Sequence, residues 1–226
     1  MRKLLLIASL VVSASASAYT IEENKADCAK GDPIGCYNLG VKYDNGIEAK
    51  EDKAKAFKWF MKAAQLDNAS AQYNLGHAYN KGEGVEQDAA QGVKWLTKAA
   101  AQGHANAQFN LALSFDQGNG IEQDKVQAFK WYEKAAEQGV DSAQFNLATS
   151  YADGEGVEQD HTQAIKWYTK AADQGLATAQ YSLARAYYSG EGVKSDKVKA
   201  VALFKKSAEQ GDELAIYVLK QLGLMK

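Results

Sequence analysis

The sequence predicts an all-α chain, a solenoid of about five 36-residue helix-turn-helix repeats with capping helices at its N- and C-terminal ends. Three observations carry this. The block Ala71-Gln72-Tyr73-Asn74-Leu75-Gly76 returns from Ala107, Ala143 and Ala179, each time 36 residues on. The chain of 226 residues holds one proline, the residue that most disrupts helices. Within each unit, apolar residues recur at steps of three and four, which places them on one helix face.

The first element reads as a leader. Arg2 and Lys3 precede a nine-residue apolar core, Leu4 to Val12, and Ala16-Ser17-Ala18 has the small-x-small form of a cleavage site. Residues 1–18 are therefore expected to be a signal peptide cut after Ala18, leaving 19–226 as the repeat domain. The apolar run is far shorter than the ~20 residues that span a bilayer, so no membrane span is expected in the mature form. Export to the periplasm or beyond follows. Residues 1–18 carry two basic and no acidic groups, so the remainder has 24 basic and 28 acidic side chains, net −4. With no basic patch, nucleic acid and anionic membranes are poor partners.

Walking back from Ala71 reaches a degraded copy at Gly35-Cys36-Tyr37-Asn38-Leu39-Gly40, and walking forward reaches a truncated copy at Ala215. The first helix of a unit spans roughly Ala71 to Tyr79 and stops at the glycine pair Gly82 and Gly84. The second starts at an aspartate present in every unit, at 52, 88, 124, 160 and 196. Gln91, Gln127 and Gln163 follow three residues later, the spacing of a capping box. Val93, Leu96, Ala99 and Ala100 share one face, and the helix ends at Gly103. Trp59, Trp95, Trp131 and Trp167 hold one position and read as packing between helices. Short helix pairs cannot bury their apolar stripes alone, so neighbouring pairs must stack.

The pattern A-x-x-x-L-G/A-x-x-Y, G-x-G-V-x-x-D, A-x-x-W-x-x-K-A-A-x-Q-G resembles the Sel1-like repeat, a relative of the tetratricopeptide repeat, over about residues 28–223. The first copy departs at Glu48 and Asp67, where glycine is expected, and the fifth at Leu203. The resemblance implies an α/α right-handed superhelix that acts as an adaptor through its concave surface. Exported members of the family serve in envelope processes and host interaction.

Cys28 and Cys36, the only cysteines, sit on adjacent helices across Gly31-Asp32-Pro33. In an oxidising compartment they read as a disulfide, with two free core thiols as the alternative. The layout is similar to the cysteine-rich subgroup of the family, although that subgroup carries such a pair in each repeat. Its link with β-lactam hydrolysis makes an envelope hydrolase the alternative function. The chain has no S-x-x-K or K-T-G motif, so no catalytic residue is expected. His77, His104 and His161 fall at unrelated repeat positions, and neither a metal nor a cofactor is expected.

With Leu75 and Tyr79 facing the core, the opposite face of the first helix is the candidate partner surface. Its aromatic row is Tyr37, Tyr73, Phe109, Phe145 and Tyr181. Asn38, Asn74, Asn110 and Asn146 lie beside it, with His77 and Arg185 at a position that varies between repeats. Rings offer area and amides can bond a peptide backbone. Internal padding of the next repeat is the competing reading. The expected function is a non-enzymatic, exported interaction module, of adaptor, regulator or immunity type. It would be monomeric on its own and bind a protein or peptide. A structural scaffold in an envelope assembly is a further alternative.

Overall fold

The structure, a computed structural model, describes residues 19–225. The expected leader therefore lies outside the described residues. Among the described residues there are twelve helices and no strand. They are α1 (Ile21–Ala29), α2 (Pro33–Asn45), α3 (Lys53–Gln65), α4 (Ala69–Lys81), α5 (Ala89–Ala101) and α6 (Ala105–Gln117), followed by α7 (Lys125–Glu137), α8 (Asp141–Asp153), α9 (His161–Asp173), α10 (Ala177–Ser189), α11 (Lys197–Glu209) and α12 (Glu213–Gln221). None of them is long and apolar enough to cross a membrane. The predicted all-α repeat fold is what forms. The first helix of each unit is longer than expected: α4 begins two residues before Ala71 and ends two after Tyr79.

The described residues divide into two compact units, residues 19–111 with 119–121, and residues 112–118 with 122–225. In the first, the core is built from Leu39 and Leu75 on first helices and from Phe60, Ala63 and Ala64 on α3. Gly40 and Gly76 lie so close to Phe60 and Leu96 that a Cβ at either position would collide with the opposing side chain. In the second, Leu183 and Leu219 take the leucine position, against Ala171, Ala172, Phe204 and Ala208. Trp59, Trp95, Trp131 and Trp167 are only half-buried, and a lysine one turn on covers each exposed ring at 3.6–5.6 Å.

Every second helix is capped as expected: the side chains of Asp52, Asp88, Asp124, Asp160 and Asp196 accept from the amide three residues on. The reciprocal half of the expected capping box is replaced by a different bond. The Asp88 amide already donates to the Tyr79 carbonyl at 2.9 Å, so Gln91 has no backbone donor to reach back to. The same bond recurs from Asp124 to Phe115 and from Asp160 to Tyr151. It stitches the end of each first helix to the start of the second.

Repeats are locked to one another by glutamines. Gln72 Nε2 donates to the Ala64 carbonyl at 3.3 Å, and Gln102 Nε2 donates to Gln72 Oε1 at 2.8 Å. Gln180 and Gln210 repeat this arrangement in the second unit. In the first copy the glutamine is Cys36 and the carbonyl residue is Cys28, and the two are joined by a disulfide. A covalent bond thus stands where the later repeats use a hydrogen bond. Leu66 then replaces Gln102, since Cys36 offers no amide oxygen to receive it.

Candidate functional site

The aromatic row on the first helices is half-buried, and the rings of Tyr37, Phe145 and Tyr181 face rings of the second helices. Tyr37 lies 5.8 Å from Phe60, and Tyr73 stacks on His104 at 4.7 Å. Phe145 lies 5.6 Å from Tyr168 and Tyr181 lies 5.7 Å from Phe204. Burial raises the phenol pKa of Tyr37 and Tyr73, and hydrogen bonds from the amides of Asn74 and Asn110 partly offset it. The row alternates with its second-helix partners. Where the first helix carries Tyr37, Tyr73 or Tyr181, the second carries Phe60, Leu96 or Phe204. Where it carries Phe109 or Phe145, the second carries Tyr132 or Tyr168. The Tyr132 hydroxyl, pushed up by burial, reaches Asn146, and that of Tyr168 reaches Ser182 as well as Thr149 Oγ1 at 3.1 Å.

This corrects the expectation for the amides. Asn74, Asn110 and Asn146 serve tyrosine hydroxyls of the preceding repeat. Asn38 is 4 % exposed and donates to Asn24 Oδ1 at 3.3 Å, so it faces the core of the first unit. The physical reason is position: the residue after the aromatic lies beneath the ring of the previous repeat, where a polar group is needed to meet a buried hydroxyl.

Each unit has a groove beside its own first helices. The first encloses about 60 Å³ beside Asp44, Lys53, Asn74 and His77. The second encloses about 460 Å³ beside Ala152, His161, Ser182 and Arg185. These are the same places three periods apart, since each residue of the second set lies 108 positions beyond its counterpart. Their difference in size has a clear origin. In the first groove Lys53 Nζ lies 3.1 Å from Asp44 Oδ1 and donates to the Asp44 carbonyl at 2.9 Å, so an ion pair fills the space. In the second, Ala152 has no carboxylate, and His161 Nε2 turns to Glu191 at 3.4 Å. The larger groove continues past Tyr181 and Tyr188 to Phe204 and Val218.

Of the residues expected at the site, Asn74 and His77 line the smaller groove, and Tyr181 and Arg185 the larger. Tyr37, Tyr73, Phe109 and Phe145 lie outside both linings. Sequence reasoning missed Tyr168, Tyr188, His161 and Glu191. One signal was available for the opening itself: Ala152 is small where the period earlier has Asp44, Asn80 and Asp116.

The Sel1 repeat profile matches five consecutive segments, residues 33–68, 69–104, 105–140, 141–176 and 177–212. No curated protein matches the chain. A Sel1 repeat protein from Oxalobacter formigenes is 34% identical with a TM-score of 0.77, over 83% of this chain and 74% of that one. A protective antigen of uropathogenic Escherichia coli with an SLR fold is also 34% identical, with a TM-score of 0.69. That match covers 92% of this chain but 53% of the antigen, so the chain spans about half of its length. An immunity protein from Pseudomonas aeruginosa is 22% identical over 84% of this chain and 72% of that one, with a TM-score of 0.50, a likeness of fold.

Proposed function

The chain belongs to the Sel1 repeat family, and from that premise we propose that it is an exported protein-binding module. It holds a partner protein or peptide on the first-helix side of its repeats, in an adaptor, regulatory or immunity-type role. The observation that carries this is the pair of equivalent grooves. The repeat supplies the same backbone at each place, while the side chains that decide size and charge differ: Asp44 against Ala152, His77 against Arg185. Variation on a constant frame is what recognition of one partner requires.

Export is supported by the basic-then-apolar opening of residues 1–18 and by the Cys28–Cys36 disulfide, a bond that persists in oxidising compartments. The test combines address and surface. N-terminal sequencing of the protein from periplasmic and culture fractions should begin at Tyr19. A photo-reactive amino acid placed at 77 or 185 should cross-link a partner in the producing cells. The same group at 62 or 170, beside the tryptophans, should not. Cross-links confined to 62 and 170, or an uncut chain in the cytoplasm, would overturn the reading.

A further inference from the structure

We propose that the groove of the second unit binds a peptide carboxylate seated beside an apolar side chain, with Arg185 as the anion-binding group. This rests on the protein-binding reading above and specifies what the groove takes. Arg185 is exposed on α10 and makes no ion pair among the described residues. It lines the groove together with Tyr168, whose hydroxyl feels its positive charge. The lining also carries two carboxylates. Glu191 contacts His161 at 3.4 Å, and Asp153 sits on the last turn of α8. Arg185 is therefore the position left for an incoming anion, and a guanidinium suits a carboxylate because it can donate two parallel hydrogen bonds.

The first unit shows what fills such a groove. There Asp44 brings a carboxylate into it from the chain itself and Lys53 neutralises it. Ala152 removes that carboxylate three periods later, and the space stays open at about 460 Å³. A guest carboxylate supplies from outside what Asp44 supplies from within. Most of the remaining lining is apolar or aromatic, with Ile165, Tyr181, Tyr188, Phe204 and Val218 as its large side chains and Ser182 and Ser189 as its neutral polar ones. That volume falls in the range of small-ligand pockets and accommodates one large side chain next to the anion.

The test uses fluorescence polarisation with four labelled pentapeptides. One holds phenylalanine next to glutamate and one next to glutamine. The other two end in phenylalanine, as the free acid and as the amide. The expected result is that an acid-bearing peptide binds at least about tenfold tighter than its neutral twin, the size of one charge-assisted contact. Which acid wins distinguishes a side-chain from a C-terminal carboxylate. Arg185→Gln should erase the acid preference. Ala152→Asp with His161→Lys rebuilds the ion pair of the first groove and should abolish binding, with the helical signal and Tm retained. Equal binding of acid and neutral peptides, no binding by any of them, or full binding by the refilled variant would each overturn the proposal. Cross-linking at 185 without peptide binding would sink this inference and leave the protein-binding reading standing.

Discussion

The ammonium of Lys42, a side chain with no solvent exposure, lies 2.6 Å from the carboxylate of Glu48, whose own side chain is 41 % exposed. Glu48 holds the place that Gly84, Gly120, Gly156 and Gly192 hold in later repeats. Those glycines have positive φ and press against the backbone that opens the preceding second helix. Glu48 keeps the positive φ, at 61°, although it carries a side chain. In return its carboxylate accepts from the Ile21 amide at 3.1 Å, at the open N-terminus of α1, and neutralises Lys42. An unpaired buried ammonium is far costlier than a strained backbone angle.

Glu48→Gly should therefore destabilise the chain, even though glycine is what the period asks for and relieves the backbone. Thermal melts at pH 7 should show a lower Tm, with amide exchange fastest in α1. A rise in Tm would mean that backbone strain outweighs the ion pair.

The same pair sets a pH dependence. The hydrogen bond from Lys42, then that from the Ile21 amide, hold the Glu48 carboxyl below its ordinary value of 4.5. A carboxyl depressed in the folded state stabilises fully above its unfolded value, and the effect is lost as pH falls through the folded one. The Tm gap between wild type and Glu48→Gln should be constant from pH 7 to about 5 and close below 4.5. A gap unchanged at pH 3 would show that the charge on Glu48 is not what stabilises.

His104 titrates in a higher window. It caps α6 by accepting the Ala107 amide at its Nδ1, 3.3 Å away, which only the neutral ring can do. Burial lowers its pKa from 6.5. A base depressed in the folded state costs stability as pH falls from its unfolded value towards its folded one. Asn68 does the same capping one repeat earlier without titrating, its Oδ1 2.9 Å from the Ala71 amide. His104→Asn should keep the cap and flatten the decline in stability between about pH 6.5 and 5. An identical decline in the variant would place the titration elsewhere.

Two first helices lack this cap. Val140 and Leu176 stand at the N-cap positions of α8 and α10 and make no side-chain cap bond. Val140→Asn should stabilise by about 0.5–1 kcal/mol, the usual worth of an N-cap, as measured by urea unfolding. Leu176 packs against the core of the second unit, so Leu176→Asn should gain less, or lose.

What the sequence made legible follows from what repeats. The 36-residue period marked the helix pairs, the buried Leu75, the aspartate caps and the cysteines on adjacent helices, because each recurs or departs at a countable position. The capping box was misread because its missing partner is a backbone amide, and backbone bonds such as that from Asp88 to Tyr79 leave no trace in residue spacing. The site was half legible. Its row of positions could be counted, but the depth at each depended on pairs such as Asp44 and Lys53, nine residues apart across a turn. The row of aromatics drew attention by regularity, whereas the larger groove came from one irregular residue, Ala152.

The tyrosine hydroxyl that moves between helices yields the last prediction. Each repeat carries one tyrosine in this pair of positions, on the first helix at Tyr37, Tyr73 and Tyr181 and on the second at Tyr132 and Tyr168. In the second unit the Tyr168 hydroxyl meets Thr149 and Ser182, and Phe145 packs beside it. Tyr168→Phe removes the hydroxyl and leaves half-buried polar groups without it, which should cost about 1 kcal/mol. Phe145→Tyr alone adds a second hydroxyl to a space already served, so it should be neutral or mildly destabilising. The double variant recreates the ring order of the first repeat, where Tyr37 stands against Phe60 and bonds Asn74, with Ser182 in the place of Asn74. Its stability should recover most of the loss, so the two substitutions should couple favourably by at least about 0.5 kcal/mol in a double-mutant cycle. Strictly additive effects would mean that the alternation of Tyr and Phe along the repeats reflects ring packing alone, and that the hydroxyl contributes nothing to the junction.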